Sequence, residues 1–157
     1  MKIIGVIPAR YASSRFPGKP LVDLKGKTMI QRVYEGAKKS LRLSEVIVAT
    51  DDQRIYDEVV RFGGQVQMTS ENHTTGTDRC GEVAENIQAD IIINVQGDEP
   101  LVDYRQLDEL CAAFEDENVG IATLGIKGVS PEERNNSNRI KIVLDKQSNA
   151  LYFSRSP

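Results

Sequence analysis

Three short, unbroken apolar runs, set between stretches of helical period, constrain this chain most. They are Ile3-Ile4-Gly5-Val6-Ile7, Val46-Ile47-Val48-Ala49 and Ile91-Ile92-Ile93. Continuous rather than alternating apolar character is what strands buried on both faces require. The strands are expected over residues 2–7, ended by Pro8, over 45–50, and over 90–95. Met29, Val33 and Ala37 recur at spacing four, with Ile30 and Tyr34 beside them, which predicts a helix over 28–43. Asp52 is an expected N-cap for a helix through Phe62, ended by Gly63-Gly64. A short strand over 65–68, a helix over 77–87 and a helix over 104–117 follow. Beyond them the pattern predicts a strand over 119–126, a helical turn over 130–134, and strands over 140–144 and 150–154 joined by a tight turn. Strands alternating with helices define an α/β fold, a mainly parallel sheet flanked by helices.

Composition narrows the function classes. At 157 residues the chain can bury a core without disulfide staples. The apolar runs are far too short to span a bilayer, so no membrane role is expected. The N-terminus has no signal-peptide pattern, and the two cysteines, Cys80 and Cys111, lack metal spacing. Both cysteines read as reduced core residues, and the expected location is cytoplasmic. A net charge of −3 gives no general reason to expect nucleic-acid binding.

Ligands of parallel sheets sit outside the carboxyl ends of the strands, which directs attention to the loops after Ile7, Thr50 and Val95. The first loop holds Arg10, Arg15 and Lys19 among Ser13, Ser14 and Gly18. Arginine forks, a lysine point charge and backbone N–H groups suit a polyphosphate. The loop is neither a P-loop nor a dinucleotide fingerprint, and read alone it leaves a solvated basic surface open. After the third run comes Gln96-Gly97-Asp98-Glu99-Pro100. Asp98 is the expected magnesium ligand, since that ion takes one or two carboxylates and completes its shell with phosphates and water. Glu99 reads as structural. The segment Thr75-Gly76-Thr77-Asp78-Arg79 leads into a helix, so Thr75 or Thr77 serves as N-cap unless the segment reads a base. His73, the only histidine, reads as a loop residue rather than a general base.

Taken together, these segments resemble one family. Ile7 through Leu21, with Ala9-Arg10-Tyr11 and Phe16-Pro17-Gly18-Lys19-Pro20, looks like the signature of the CMP-Kdo synthetases (3-deoxy-manno-octulosonate cytidylyltransferases). Val48-Ala49-Thr50-Asp51, Thr75 to Arg79, Asn94 to Pro100, Lys141 to Asp145 and Ala150 to Pro157 match in order. The resemblance implies a nucleotide-diphospho-sugar transferase fold. The implied reaction is CTP + Kdo → CMP-Kdo + pyrophosphate, for lipopolysaccharide biosynthesis. It assigns Arg10 and Lys19 to the triphosphate, with Arg15 as helper and Ala9 and Ser13 in the same loop. Thr75, Gly76, Thr77 and Arg79 fall to the cytidine, Gln96 and Gly97 to the nucleotide, and Gln96 and Arg155 to the sugar. Asp98 is assigned to Mg2+, and Arg10, Lys19 and Asp98 carry catalysis. A homodimer is implied for the full-length family. Members run to about 250 residues, so residues 1–157 read as the CTP-binding portion, with the sugar-binding and dimerisation part missing. The stretch Asn135-Asn136-Ser137-Asn138 also departs from the family pattern. A cytidylyltransferase for amino-Kdo or sialic acid, or a nucleotide-binding module without turnover, remain the alternatives.

Overall fold

The computed structural model describes residues 1–12, 16–128 and 130–156. These divide into two units, Met1–Ala122 and Thr123–Pro157.

The first unit is built on a four-stranded parallel sheet in the order β3-β2-β1-β4, where β1 is Ile3–Ala9, β2 Glu45–Thr50, β3 Gln65–Met68 and β4 Ile91–Asn94. β1 lies inside the sheet, in register with β2 from Ile4↔Glu45 to Ala9↔Thr50 and with β4 from Ile3↔Ile91 to Val6↔Asn94. Because it has a neighbour on each side, its side chains must be apolar on both faces, which explains the unbroken run. The strand does not stop at Pro8, as the sequence predicts, but continues to Ala9. The Val6 carbonyl accepts from Val95 N–H, so even-numbered residues turn their backbone groups toward β4. Pro8 faces that side just past the last β4 pairing, where no ladder donor is needed.

Ile3, Ile7 and Ala9 point to one face of the sheet, where α1 (Met29–Ala37), α2 (Gln53–Arg61) and α4 (Tyr104–Ala112) pack through Ile30, Val33, Ile55, Val59, Leu107 and Cys111. Ile4 and Val6 point to the other, where α3 (Gly76–Asn86) contributes Cys80 and Val83. Both cysteines are buried as expected, and burial pushes the Cys80 thiol up to about 11.

The helices are shorter than periodicity predicts, for local reasons. α1 starts at its Thr28 N-cap but ends at Ala37. The Ser40 hydroxyl accepts from the N–H groups of Arg42 and Leu43, and Asp108 accepts from Leu41 and Arg42. Side chains thus replace the helical carbonyls as acceptors. α4 tightens into a 3-10 turn over Ala113–Glu115. α2 keeps its predicted N-cap, Asp52.

Glu58 of α2 ties two helices together. It accepts from the Thr28 hydroxyl at 2.7 Å and from Arg61 at 2.7 and 2.8 Å. The Arg61 bonds, chiefly, and the Thr28 bond hold its carboxyl below the ordinary 4.5 against the opposing effect of burial. A carboxylate depressed on folding stabilises the protein above its unfolded value, and that contribution is lost as pH falls through the folded value. The urea midpoint is therefore expected to drop as pH falls below the ordinary glutamate value. Glu58→Gln should flatten that drop; an unchanged slope in the variant would remove Glu58 from the explanation.

The second unit holds α5 (Pro131–Asn135) and an antiparallel hairpin of β5 (Lys141–Leu144) and β6 (Ala150–Ser154). Its turn is organised by Asp145, which accepts from the Gln147 and Asn149 N–H groups at 2.9 and 2.8 Å. Leu151, Tyr152 and Phe153 of β6 are exposed. The strand expected over 119–126 does not form. Ile121 and Ile126 there are about nine-tenths exposed, and Gly120 and Gly125 interrupt a run that has no paired neighbour. Among the described residues no helix is long and apolar enough to cross a membrane.

Candidate nucleotide site

In the order β3-β2-β1-β4 the chain first winds from β1 to one side and then returns to the other, so the reversal point lies between the carboxyl ends of β1 and β4. A crevice for ligands opens at such a point. Pro8 organises it. An added Cβ at Gly97 would stand 2.8 Å from the Pro8 carbonyl oxygen, and one at Gly76 would stand 3.0 Å from the Pro8 ring. The loop after β4 and the start of α3 can both close on the end of β1 only because these two residues lack side chains. Gly97→Ala meets fixed backbone, so it should displace the Asp98 loop and weaken nucleotide binding about tenfold or more. Calorimetric titration checks this, and wild-type affinity would show that the loop yields.

Across that crevice Lys19 Nζ lies 2.6 Å from Asp98 Oδ2. The two residues are 79 apart in sequence, and both are partly exposed. An exposed pair of this kind contributes only about 0–1 kcal/mol. Arg10 is exposed directly after buried Ala9. Ser13 and Arg15 lie outside the described residues. Gln96 is exposed, and its amide donates to Asn94 Oδ1 at 3.2 Å. Among the described residues no group of three His, Cys, Asp or Glu side chains is arranged to hold a metal. A single carboxylate past a strand end is the kind of ligand used by an ion that completes its shell with phosphate and water, as magnesium does.

Thr75 is the N-cap of α3 in a reciprocal capping box. Its hydroxyl accepts from Asp78 N–H at 3.1 Å, and its own N–H donates to Asp78 Oδ2 at 3.2 Å. The helix start thus already carries a carboxylate and does not call for a phosphate. Gly76 and Thr77 are exposed beside it. Arg79 is turned the other way. It is buried, and it donates to the Thr69 hydroxyl, to the Ser70 carbonyl at 3.3 Å and to Asp51 Oδ2 at 2.6 Å. Its guanidinium braces the loops after β2 and β3 against α3. His73 bonds Glu82, which also accepts from Ser70 N–H at 2.9 Å. The Ser70 bond, and then His73, hold Glu82 below its usual range. In the second unit, Arg155 donates to the carbonyls of Ser137 and Asn138 at 3.2 and 3.4 Å.

Sequence reasoning passed over Pro8 and Asp51. Asp51, in the loop after Thr50, was visible as a carboxylate just past a buried strand, the same signal that singled out Asp98.

A family model for cytidylyltransferases matches residues 4–157. The 3-deoxy-manno-octulosonate cytidylyltransferase of Fusobacterium nucleatum is 53% identical over 99% of this chain and 64% of its own length. That of Geobacter metallireducens is 52% identical over 100% of this chain and 62% of its own. The chain thus spans somewhat less than two thirds of these relatives. Among solved structures, CMP:2-keto-3-deoxy-manno-octonic acid synthetase complexed with CTP superposes with a TM-score of 0.94 at 46% identity, covering 99% of this chain and 65% of that one. Fold, crevice and sequence agree: the chain belongs to the cytidylyltransferase family.

Proposed function

We propose that this chain is the nucleotide-binding portion of an enzyme that joins CMP from CTP to the anomeric hydroxyl of Kdo and releases pyrophosphate, for lipopolysaccharide biosynthesis. The observation that carries the reading is the Lys19–Asp98 pair across the β1/β4 crevice, in a chain of this family. Charge sets the direction of the nucleotide. The phosphates lie toward Arg10 and Lys19, with Arg15 and Ser13 of the same loop. The uncharged cytidine lies toward Thr75, Gly76 and Thr77, where Asp78 would repel phosphate. Arg79 supports that end from beneath. Ala9 and Gly97 supply close backbone approach, and Gln96 is assigned to the sugar.

In this reading the hydroxyl oxygen bonds to the α-phosphorus as the bond to the leaving pyrophosphate breaks. The protein aligns the attack and neutralises charge that grows on the leaving group, the tasks of Arg10 and Lys19. Asp98 would hold Mg2+, which when bound neutralises phosphate oxygens. The reaction belongs to the cytosol, where CTP is made, and homodimerisation is part of the same proposal.

Two measurements test it. CTP titrated into the chain should bind, with magnesium strengthening the binding. Kdo, CTP and magnesium should yield pyrophosphate from a protein of the relatives' length. Binding without pyrophosphate would leave a nucleotide-binding module, and absence of CTP binding would end the reading.

A further inference from the structure

Lys19 emerges from a loop whose two ends are pinned together. The Gly18 N–H donates to the Tyr11 carbonyl at 2.9 Å. Gly18 is buried in the left-handed conformation, φ 71°, and an added Cβ there would stand 3.0 Å from two carbons of the Tyr11 ring. The ring is therefore the wall against which the chain turns just before Lys19. Against the same ring lies the Arg54 guanidinium, its central carbon 3.3 Å from the ring centroid. Arg54 is itself aimed. Its Nε and Nη2 donate to the two oxygens of Asp52 at 2.9 and 2.6 Å, and Asp52 is the N-cap of α2. A line of contacts thus runs from the start of α2 through guanidinium and ring to the residue before Lys19.

We propose that Tyr11 and Arg54 are positioning residues that set Lys19 toward the phosphates, without touching the nucleotide themselves. The inference rests on the CTP reading above. A guanidinium forked on a carboxylate presents a flat cationic face, which the negative face of an aromatic ring attracts. Neither an aliphatic residue at 11 nor a lysine at 54 reproduces that stack. A phosphate-binding lysine displaced by about 1 Å loses much of its effect.

The test compares ligands that differ in phosphate. In Arg54→Ala and Tyr11→Leu, affinity for CTP and for pyrophosphate should fall about tenfold, while affinity for CMP changes less than about twofold. Tyr11→Phe keeps the ring face and should restore CTP affinity; Arg54→Lys should not. Equal losses for CTP and CMP would mean general damage to the fold and would overturn the proposal, as would undiminished CTP affinity. A second readout needs no nucleotide. Amide exchange of the Gly18 N–H should quicken about tenfold in Arg54→Ala and Tyr11→Leu and stay slow in Tyr11→Phe. Failure of the wild type to bind CTP would strike the functional reading alone. Unchanged Gly18 exchange in both variants would overturn the positioning role whether or not CTP binds.

Discussion

On the proposed reading, and in a protein of the relatives' length, Lys19→Ala is expected to slow pyrophosphate release from CTP and Kdo by about 10²–10³-fold, the usual cost of removing one preorganised group that meets charge developing in the transition state. The effect should fall on kcat beyond a loss of CTP affinity of about tenfold, because charge on the leaving pyrophosphate grows as the reaction proceeds. Stability should barely move. The ion pair with Asp98 is exposed at both ends, and such pairs contribute about 0–1 kcal/mol. Steady-state kinetics beside a thermal melt separate the two effects. Near-normal turnover in a folded variant would sink the catalytic role of Lys19, and a collapsed melting curve would show that the pair is structural instead.

The largest effect on stability is expected at Asp51. Its carboxylate is the anionic partner of Arg79, whose side chain is only 3% exposed, against 20% for Asp51. Asp51→Ala leaves a guanidinium nearly out of reach of water, with the Thr69 hydroxyl and the Ser70 carbonyl as its remaining partners. Stranding one member of a buried pair costs about 3–5 kcal/mol. For a chain of this size that corresponds to a fall in Tm of about 10–15 °C. Arg79→Met should cost less, because the carboxylate it strands is better placed to hydrate. The order of the two variants is the sharper test: if Arg79→Met proved the more damaging, the charge argument would fail and packing of the arginine stem would take its place.

The parallel sheet was legible because β1, β2 and β4 are apolar without interruption, and only a strand covered on both faces needs that. The N-caps Asp52 and Thr75 were readable, the second as one of two choices, for an equally local reason: capping is a contact between near neighbours. What could not be read depends on partners distant in sequence. α1 stops at Ala37 because Asp108 accepts from the turn that follows. The run over 119–126 has strand composition but no paired neighbour. In the candidate site, Lys19 and Asp98 stood out one by one as a cation and a carboxylate after strand ends, whereas their pairing needed the strand order. Arg79 had the right neighbours for a nucleotide contact, yet α3 turns it inward, and the sequence carries no mark of that orientation beyond the carboxylate at Asp51.

The placement of β4 beside β1 also bears on how the molecule assembles. β1, α1, β2, α2 and β3 can dock in the order in which they occur, each closing a modest stretch of chain. β4 must then return to the far side of β1, and the Lys2–Asp90 contact there joins residues 88 apart. Closing so long a segment costs more chain entropy than joining β1 to β2. It is also the step that carries Gln96, Gly97 and Asp98 to the end of β1. An intermediate lacking it would hold much of the core yet have only one wall of the crevice. A nucleotide bound across both walls, as proposed, would favour the finished molecule by mass action.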